Sequence, residues 1–138
     1  MAINTMNVGV TNKGTPQTLF GGNLAASVAE ANATVIDMQG YTGGALECQR
    51  NSGAGTWSIQ LYAHESANNG TFIVPKIQFY GADANGALAA STSDFPALAT
   101  TANNSVIHYI DGIKSRYIKF VPTLSSTANF AFTFTPSK

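Results

Sequence analysis

The clearest hydrophobic pattern lies in residues 106–135, where three strand-like stretches are separated by turn-like breaks. The last stretch, residues 130–135, alternates phenylalanine with alanine or threonine. Because side chains of a β-strand point alternately to opposite faces, Phe130, Phe132 and Phe134 share one face. Such an aromatic face requires an apolar layer opposite it, which a second packed sheet supplies. The pattern therefore predicts a β-sandwich.

Earlier parts of the chain repeat this alternation. Residues 45–50 alternate, and in residues 56–64 every second position from Trp57 to Ala63 is apolar. Pro75 splits a further strand pattern and marks an edge or a bulge, because proline cannot donate to a ladder. Turn-forming clusters separate the stretches. The count of about seven or eight short strands predicts an all-β protein with a single antiparallel β-sandwich, either jelly-roll or immunoglobulin-like.

Two segments depart from this regular pattern. Residues 1–33 mix apolar, polar and glycine positions and predict an extended N-terminal arm, followed by a sandwich domain over residues 34–138. Within the arm, residues 24–33 suit either a short helix or an irregular path. Residues 82–105 form a long insert rich in Ala, Ser, Thr and Asn, and such long loops are often functional. Its Phe95 and Leu98 are too apolar for a solvated loop, so we expect the insert to pack on its own domain or on a neighbour.

Composition changes the picture of the surface. The chain of 138 residues suits one domain, and 44% apolar residues are enough for a core. Only 10% of the residues are charged, against a usual ~25%, and the net charge is zero. A neutral exterior favours association with other protein surfaces; a polar β-domain adapted to secretion or stress is the alternative. Phosphate binding requires clustered Lys and Arg, so no nucleic-acid partner is expected.

The chain carries no pattern typical of membrane targeting. Its first residues lack the basic and apolar regions of a secretory signal, and no apolar run approaches the ~18 residues of a membrane helix. We therefore expect a soluble protein made in a cytoplasm, with no membrane partner. Cys48 is the single cysteine and alternates with Leu46, which predicts a small buried hydrophobic side chain.

Candidate chemistry is sparse. His64 and His108 are the only imidazole bases. His64 adjoins a glutamate and a serine, but neighbouring side chains on a strand point apart. His108 falls in an apolar row and suits a structural role. One cysteine and two histidines are too few for a usual zinc site, and residues 83–86 lack the later glutamate of a calcium loop. We expect no catalytic residues, no metal site and no cofactor.

The tyrosines leave a binding function open. Aromatic side chains can stack on sugars or cover ordinary protein interfaces, since one end is apolar and the other polar. A carbohydrate-binding face requires several of them in one exposed groove. The candidates are Tyr41, Tyr62, Tyr80, Tyr109 and Tyr117.

Together, three features resemble the small β-sandwich accessory proteins of tailed bacteriophages. They are an early strand ending in glycine at residues 35–41, a central strand at residues 57–62, and a C-terminal pair at residues 111–120 and 127–135. In that pair, a glycine turn leads to an Arg-aromatic-aliphatic strand and then to a closing Thr-rich strand. The resemblance covers about residues 34–135.

This resemblance implies a virion structural protein, most simply a head decoration (cement) protein, often trimeric, that binds across capsid subunits and stabilises the shell. Its partners would be the major capsid protein or other virion proteins, and it would reside in the virion after synthesis in the host cytoplasm. The alternative is a carbohydrate- or receptor-binding module of a phage fibre or tail. No enzymatic activity is expected. On the decoration hypothesis, the arm and the insert make the intersubunit contacts, with the interface residues Ile3, Met6, Val8, Leu19, Phe20, Phe95 and Leu98.

Overall fold

A computed structural model describes residues 13–66, 69–82, 84–99, 105–125 and 128–138. These residues form ten β-strands and one short 3₁₀ helix, Glu30–Asn32, and contain no α-helix. The strands are β1 Gln17–Leu24, β2 Ile36–Asp37, β3 Gly43–Ser52, β4 Trp57–His64, β5 Lys76–Ala82, β6 Leu88–Asp94, β7 Leu98–Ala99, β8 Val106–Ile110, β9 Tyr117–Leu124 and β10 Asn129–Ser137.

Eight of these strands form two four-stranded antiparallel sheets. The first sheet has the order β1-β10-β3-β8 and the second has the order β2-β9-β4-β7. Strands β5 and β6 pair only with each other among the described strands. When this hairpin is set aside, the first sandwich strand pairs with the last, the second with the second last, the third with the third last, and the middle two with each other. This is the jelly-roll arrangement. The predicted β-sandwich is confirmed. Of its two predicted forms, the strand order matches the jelly roll and not the immunoglobulin-like sandwich.

The core lies between the two sheets and is aromatic. Phe130, Phe132 and Phe134 project inward from β10 and are fully buried, as the alternation predicted. The Phe132 ring packs edge-on against Trp57 of the facing sheet, with ring centroids 5.2 Å apart and planes at 84°. Phe134 meets Phe120 of the facing sheet at 4.9 Å. These contacts close the two sheets over each other in the edge-to-face and tilted geometries that aromatic rings favour.

The predicted N-terminal arm requires a correction. Strand β1 pairs with β10, so the chain belongs to the sandwich from Gln17 onward rather than from residue 34. Leu19 is 3% exposed within the core. The alternation is hidden by a bulge: the register shifts between Leu19 and Leu24, and Phe20 and Gly21 take φ of 54° and 70°. Bulges re-aim side chains in this way. Residues 1–12 lie outside the described residues.

The segment that follows β1 lies against β9 of the second sheet. Its backbone is fastened to β9: the Val28 N–H donates to the Pro122 carbonyl at 3.1 Å, and the Leu124 N–H donates to the Ser27 hydroxyl at 2.9 Å. Apart from the 3₁₀ turn at Glu30–Asn32, no helix forms here. The turn places the Glu30 carboxylate 3.0 Å from the Lys119 ammonium, which is buried. A buried charge requires a partner of this kind.

The predicted insert at residues 82–105 contains two strands instead of a structureless loop. Strand β6 completes the hairpin with β5, and β7 joins the edge of the second sheet at Ser58 and Ile59. Between them Phe95 is buried in the core, and its carbonyl accepts a hydrogen bond from the Gln60 amide at 2.9 Å. This part of the insert therefore packs on its own domain, the first of the two expectations for it.

Candidate docking surfaces

The hairpin β5–β6 is the first candidate surface. Its two strands pair over seven positions, from Lys76 with Asp94 to Ala82 with Leu88. At roughly 3.3 Å per residue this length reaches about 20 Å. An ion pair joins Lys76 to Asp94 where the hairpin meets the sandwich. At the far end Gly86 takes φ of 81°, a conformation that glycine adopts without steric cost in hairpin turns.

The side chains of β6 are exposed along its whole length. They read Leu-Ala-Ala-Ser-Thr-Ser-Asp, so the strand is small, polar and nearly uncharged, with Leu88 80% exposed at its outer end. A hairpin of two strands is at best marginally stable in water without further packing. This hairpin therefore presents a long surface that another protein can cover.

The second candidate surface is the free edge of the first sheet, formed by β8. One side of β8 pairs with β3, and among the described residues no strand pairs with its other side. Ile107 and Tyr109 point away from the core and are 47% and 83% exposed. An unpaired edge offers a row of backbone donors and acceptors to another strand. We call Ile107, Tyr109 and this backbone row the β8 edge.

The predicted interface residues that the structure describes lie away from both surfaces. Ile3, Met6 and Val8 fall outside the described residues. Leu19 and Phe95 are buried in the core, which removes them from the docking surface to which the sequence assigned them. Two others, Phe20 and Leu98, are half-buried against the same core. These four apolar side chains stabilise the sandwich itself.

Sequence reasoning named Tyr109 only as a candidate for sugar stacking, and it missed the other exposed apolar residues. The described large apolar side chains with high exposure are Ile73, Leu88, Ile107 and Tyr109. A signal for the last two was present, because an inward row of Val106, His108 and Ile110 implies an outward position for the residues between them. Leu88 offered a weaker signal, a lone leucine in an Ala- and Ser-rich stretch.

A cleft of about 870 Å³ opens at the base of the hairpin. Its lining includes His64, Glu65 and Ser115 beside apolar residues such as Phe95. The Ser115 hydroxyl donates to the Glu65 carboxylate at 3.1 Å, and the backbone N–H of Ser66 donates to Nδ1 of His64 at 3.2 Å. The serine and the imidazole thus have different partners. These hydrogen bonds fasten the end of β4 and the loop before β9.

The second histidine stands against the core. His108 is half-buried, and its ring packs edge-on against Trp57 at 5.5 Å. This agrees with the structural role predicted for it, and Trp57 lies in the core as its alternation indicated. Cys48 is also fully buried. Burial raises the pKa of the Cys48 thiol to about 12; the Trp57 indole acts in the opposite direction, although its N–H makes no hydrogen bond of regular geometry.

We expect the Cys48 thiol to resist alkylation by iodoacetamide at pH 8 in the folded protein and to react promptly in denaturant, as followed by intact mass. The thiolate is the nucleophile, and the raised pKa together with burial suppresses it. Since the ordinary pKa is 9.0 and the folded one is about 12, this thiol stabilises the fold below pH 9 and loses that contribution as the pH rises toward 12. Rapid labelling in native buffer would contradict this expectation.

The described tyrosines lie on three different surfaces. Tyr109 belongs to the β8 edge, Tyr62 and Tyr117 lie on the outer face of the second sheet, and Tyr41 lines a smaller depression with Lys13. They do not share one groove. The side chain of Tyr80 is outside the described part of the structure.

Comparison with known proteins gives no relative. No family model, no curated protein and no solved structure matches the chain. Within the described ranges, no group of three His, Cys, Asp or Glu side chains is placed to hold a metal ion. The same residues contain no helix long and apolar enough to cross a membrane.

Proposed function

We propose that this protein is a virion structural protein of a tailed bacteriophage, a decoration or cement protein that binds across neighbouring capsid subunits. The jelly-roll topology supports the proposal by analogy, since this arrangement recurs in viral capsid proteins and also in lectins. A fold alone does not define a function. Support for a docking role comes from the surfaces that the fold presents.

The observation that carries the proposal is the hairpin β5–β6. It extends over seven residue pairs, and every side chain of β6 is exposed. Its β6 side chains are small enough to approach a flat surface closely, and only the residue at its base, Asp94, is charged. Burial of such a strand against a partner costs little desolvation of charge. Strand β6 lies within the predicted insert, and its exposed side chains are available for an intersubunit contact.

A protein of this kind stabilises a shell by mass action. A ligand that binds only the assembled state shifts the equilibrium toward that state in proportion to its concentration and affinity. Binding across a subunit boundary has this property, because the site is absent from free subunits. The function requires interface area and complementary shape; it requires no catalytic group.

The deciding experiment removes the hairpin and leaves the sandwich. Residues 78–92 are replaced by Asn-Gly, which joins the paired positions Ile77 and Ser93 through a two-residue turn. The ion pair at the base and the buried Phe95 remain. We expect the variant to stay folded by circular dichroism and to lose co-sedimentation with emptied capsids of the phage that encodes the chain. Undiminished co-sedimentation would refute the role of the hairpin.

A matched pair of point variants sharpens this test. Leu88→Asp and Ile73→Asp place the same charge at two highly exposed apolar positions, 80% and 65% exposed, one at the end of the hairpin and one outside it. Leu88→Asp is expected to weaken capsid binding, because the charge is desolvated against the shell. Ile73→Asp is expected to leave binding unchanged. Equal effects of both variants would count against a contact through the hairpin.

The N-terminal residues form a second predicted contact. Deletion of residues 2–20 would remove Leu19 from the core, so it is unsuitable as a test of attachment. Deletion of residues 2–12 spares the described sandwich and is expected to weaken attachment to the shell. The receptor-binding alternative predicts instead that the intact protein binds glycans on an array and does not bind capsids.

A further inference from the structure

Among the edge strands of the two four-stranded sheets, β8 is the one that carries no protecting feature. Proteins blunt sheet edges with bulges, prolines, charged side chains or very short strands. Strand β1 carries the bulge between Leu19 and Leu24, and β2 and β7 have two residues each. Strand β8, Val-Ile-His-Tyr-Ile, has five residues with no proline, no glycine, no lysine and no carboxylate.

The outward side chains of β8 add apolar area to this open edge. Ile107 and Tyr109 are substantially exposed, and their neighbours across the sheet on β3 are Glu47 and Ala45. An exposed, uncharged strand of high β-propensity is a template for pairing with another strand.

We infer that the β8 edge pairs antiparallel with the β8 edge of a second copy of this chain, forming a two-fold symmetric dimer. Facing residues of an antiparallel pair must project to the same face, so the sum of their numbers is even for two identical strands. The two-fold axis therefore passes between the two copies of one residue, which face each other across it. Only an axis at His108 pairs all five residues of β8, and it places Ile107 opposite Tyr109 of the second copy, twice.

This register makes the strand complementary to itself. Pairs of an aromatic and a β-branched residue across antiparallel strands are among the stabilising ones. The two Ile107–Tyr109 pairs lie side by side on the outer face and cover each other. Strand β8 contains no Lys, Arg, Asp or Glu, and its only titratable side chain that faces its own copy is His108. A chain of zero net charge has no overall repulsion to overcome. The first sheets of the two copies join into one continuous eight-stranded sheet.

The inference is independent of the proposed function, because it concerns only two copies of this chain. It differs from the trimer that the phage resemblance implies. A closed trimer requires two different complementary surfaces on each copy, whereas a two-fold contact uses one surface twice. The β8 edge supplies a surface of the second kind.

The test measures the mass of the full chain in solution by sedimentation velocity, from about 1 μM to about 1 mM, a range that covers weak and moderate dissociation constants. We expect a concentration-dependent dimer. Tyr109→Lys should weaken it at least about tenfold, because edge lysines oppose strand pairing. Leu88→Lys is the matched control at similar exposure on the hairpin and should leave the dimer intact.

Hydrogen exchange supplies a readout of the backbone itself. Amide protection in residues 106–110 should rise with protein concentration in the wild type and stay constant in Tyr109→Lys. A monomer throughout the range, a trimer, or a dimer that Tyr109→Lys leaves unchanged would overturn the inference. Loss of capsid binding by the hairpin variant would bear on the proposed function alone, since that variant retains the β8 edge.

Discussion

Replacement of Phe132 by alanine is expected to lower the free energy of unfolding by about 3–5 kcal/mol, the usual cost of truncating a fully buried phenylalanine. Phe132 is completely buried at the centre of the sandwich. Its ring contacts Trp57 edge-on at 5.2 Å, Phe20 at 6.2 Å and Phe130 at 6.3 Å. The truncation leaves a cavity between the two sheets and removes the aromatic contacts that join them. Urea unfolding, followed by the fluorescence of the single tryptophan, measures the change.

The matched control is Thr133→Ala, one residue further along β10. Thr133 points to the outer face and is half-buried. Its truncation should therefore change the free energy of unfolding by less than about 1 kcal/mol. A change below 1 kcal/mol for Phe132→Ala would mean that the two sheets do not close over this ring. Comparable losses for both variants would place the stabilisation in the strand pairing of β10 instead of in the core.

The core was predictable because its signal is local. The period of two in residues 130–135 and 57–63 assigns each side chain to a face without knowledge of the partner strand. Both assignments are confirmed by burial. Strand β1 was missed because Phe20 and the glycines after it form a bulge, which shifts the period within the strand. A local pattern that changes phase cannot be distinguished from an irregular arm.

The candidate surfaces depend on information that is not local. Strand β6 is nearly all small or polar, so no alternation marks it as a strand; its conformation is fixed by pairing with β5. The outward direction of Ile107 and Tyr109 follows from the sequence, but the position of β8 at a sheet edge follows only from the strand order. Edge status arises from contacts between distant strands, which one-dimensional patterns do not contain.

Gly44 is the position where a single added methyl group should cause the second large loss of stability. A methyl group added at Gly44 would stand 2.5 Å from the Thr135 carbonyl oxygen and 2.6 Å from the Phe134 ring. The carbonyl belongs to the backbone of β10 and can retreat only if the pairing of β3 with β10 opens. Gly44→Ala is therefore expected to lower the free energy of unfolding by about 3 kcal/mol, at the upper end of the range for overpacked cores.

The neighbouring variant Ala45→Ser is the control, since Ala45 points to the opposite, outer face and should tolerate one added atom. A second variant, Phe134→Leu, separates the clash with the Phe134 ring from the clash with the Thr135 carbonyl. Phe134→Leu frees space on the ring side, and the coupling energy between it and Gly44→Ala, measured by a double-mutant cycle, gives the share of the cost due to the ring. Because the carbonyl contact remains, we expect only partial rescue. Full rescue would show that β10 shifts freely against β3, and a neutral Gly44→Ala would show that the two strands lie further apart than the register indicates.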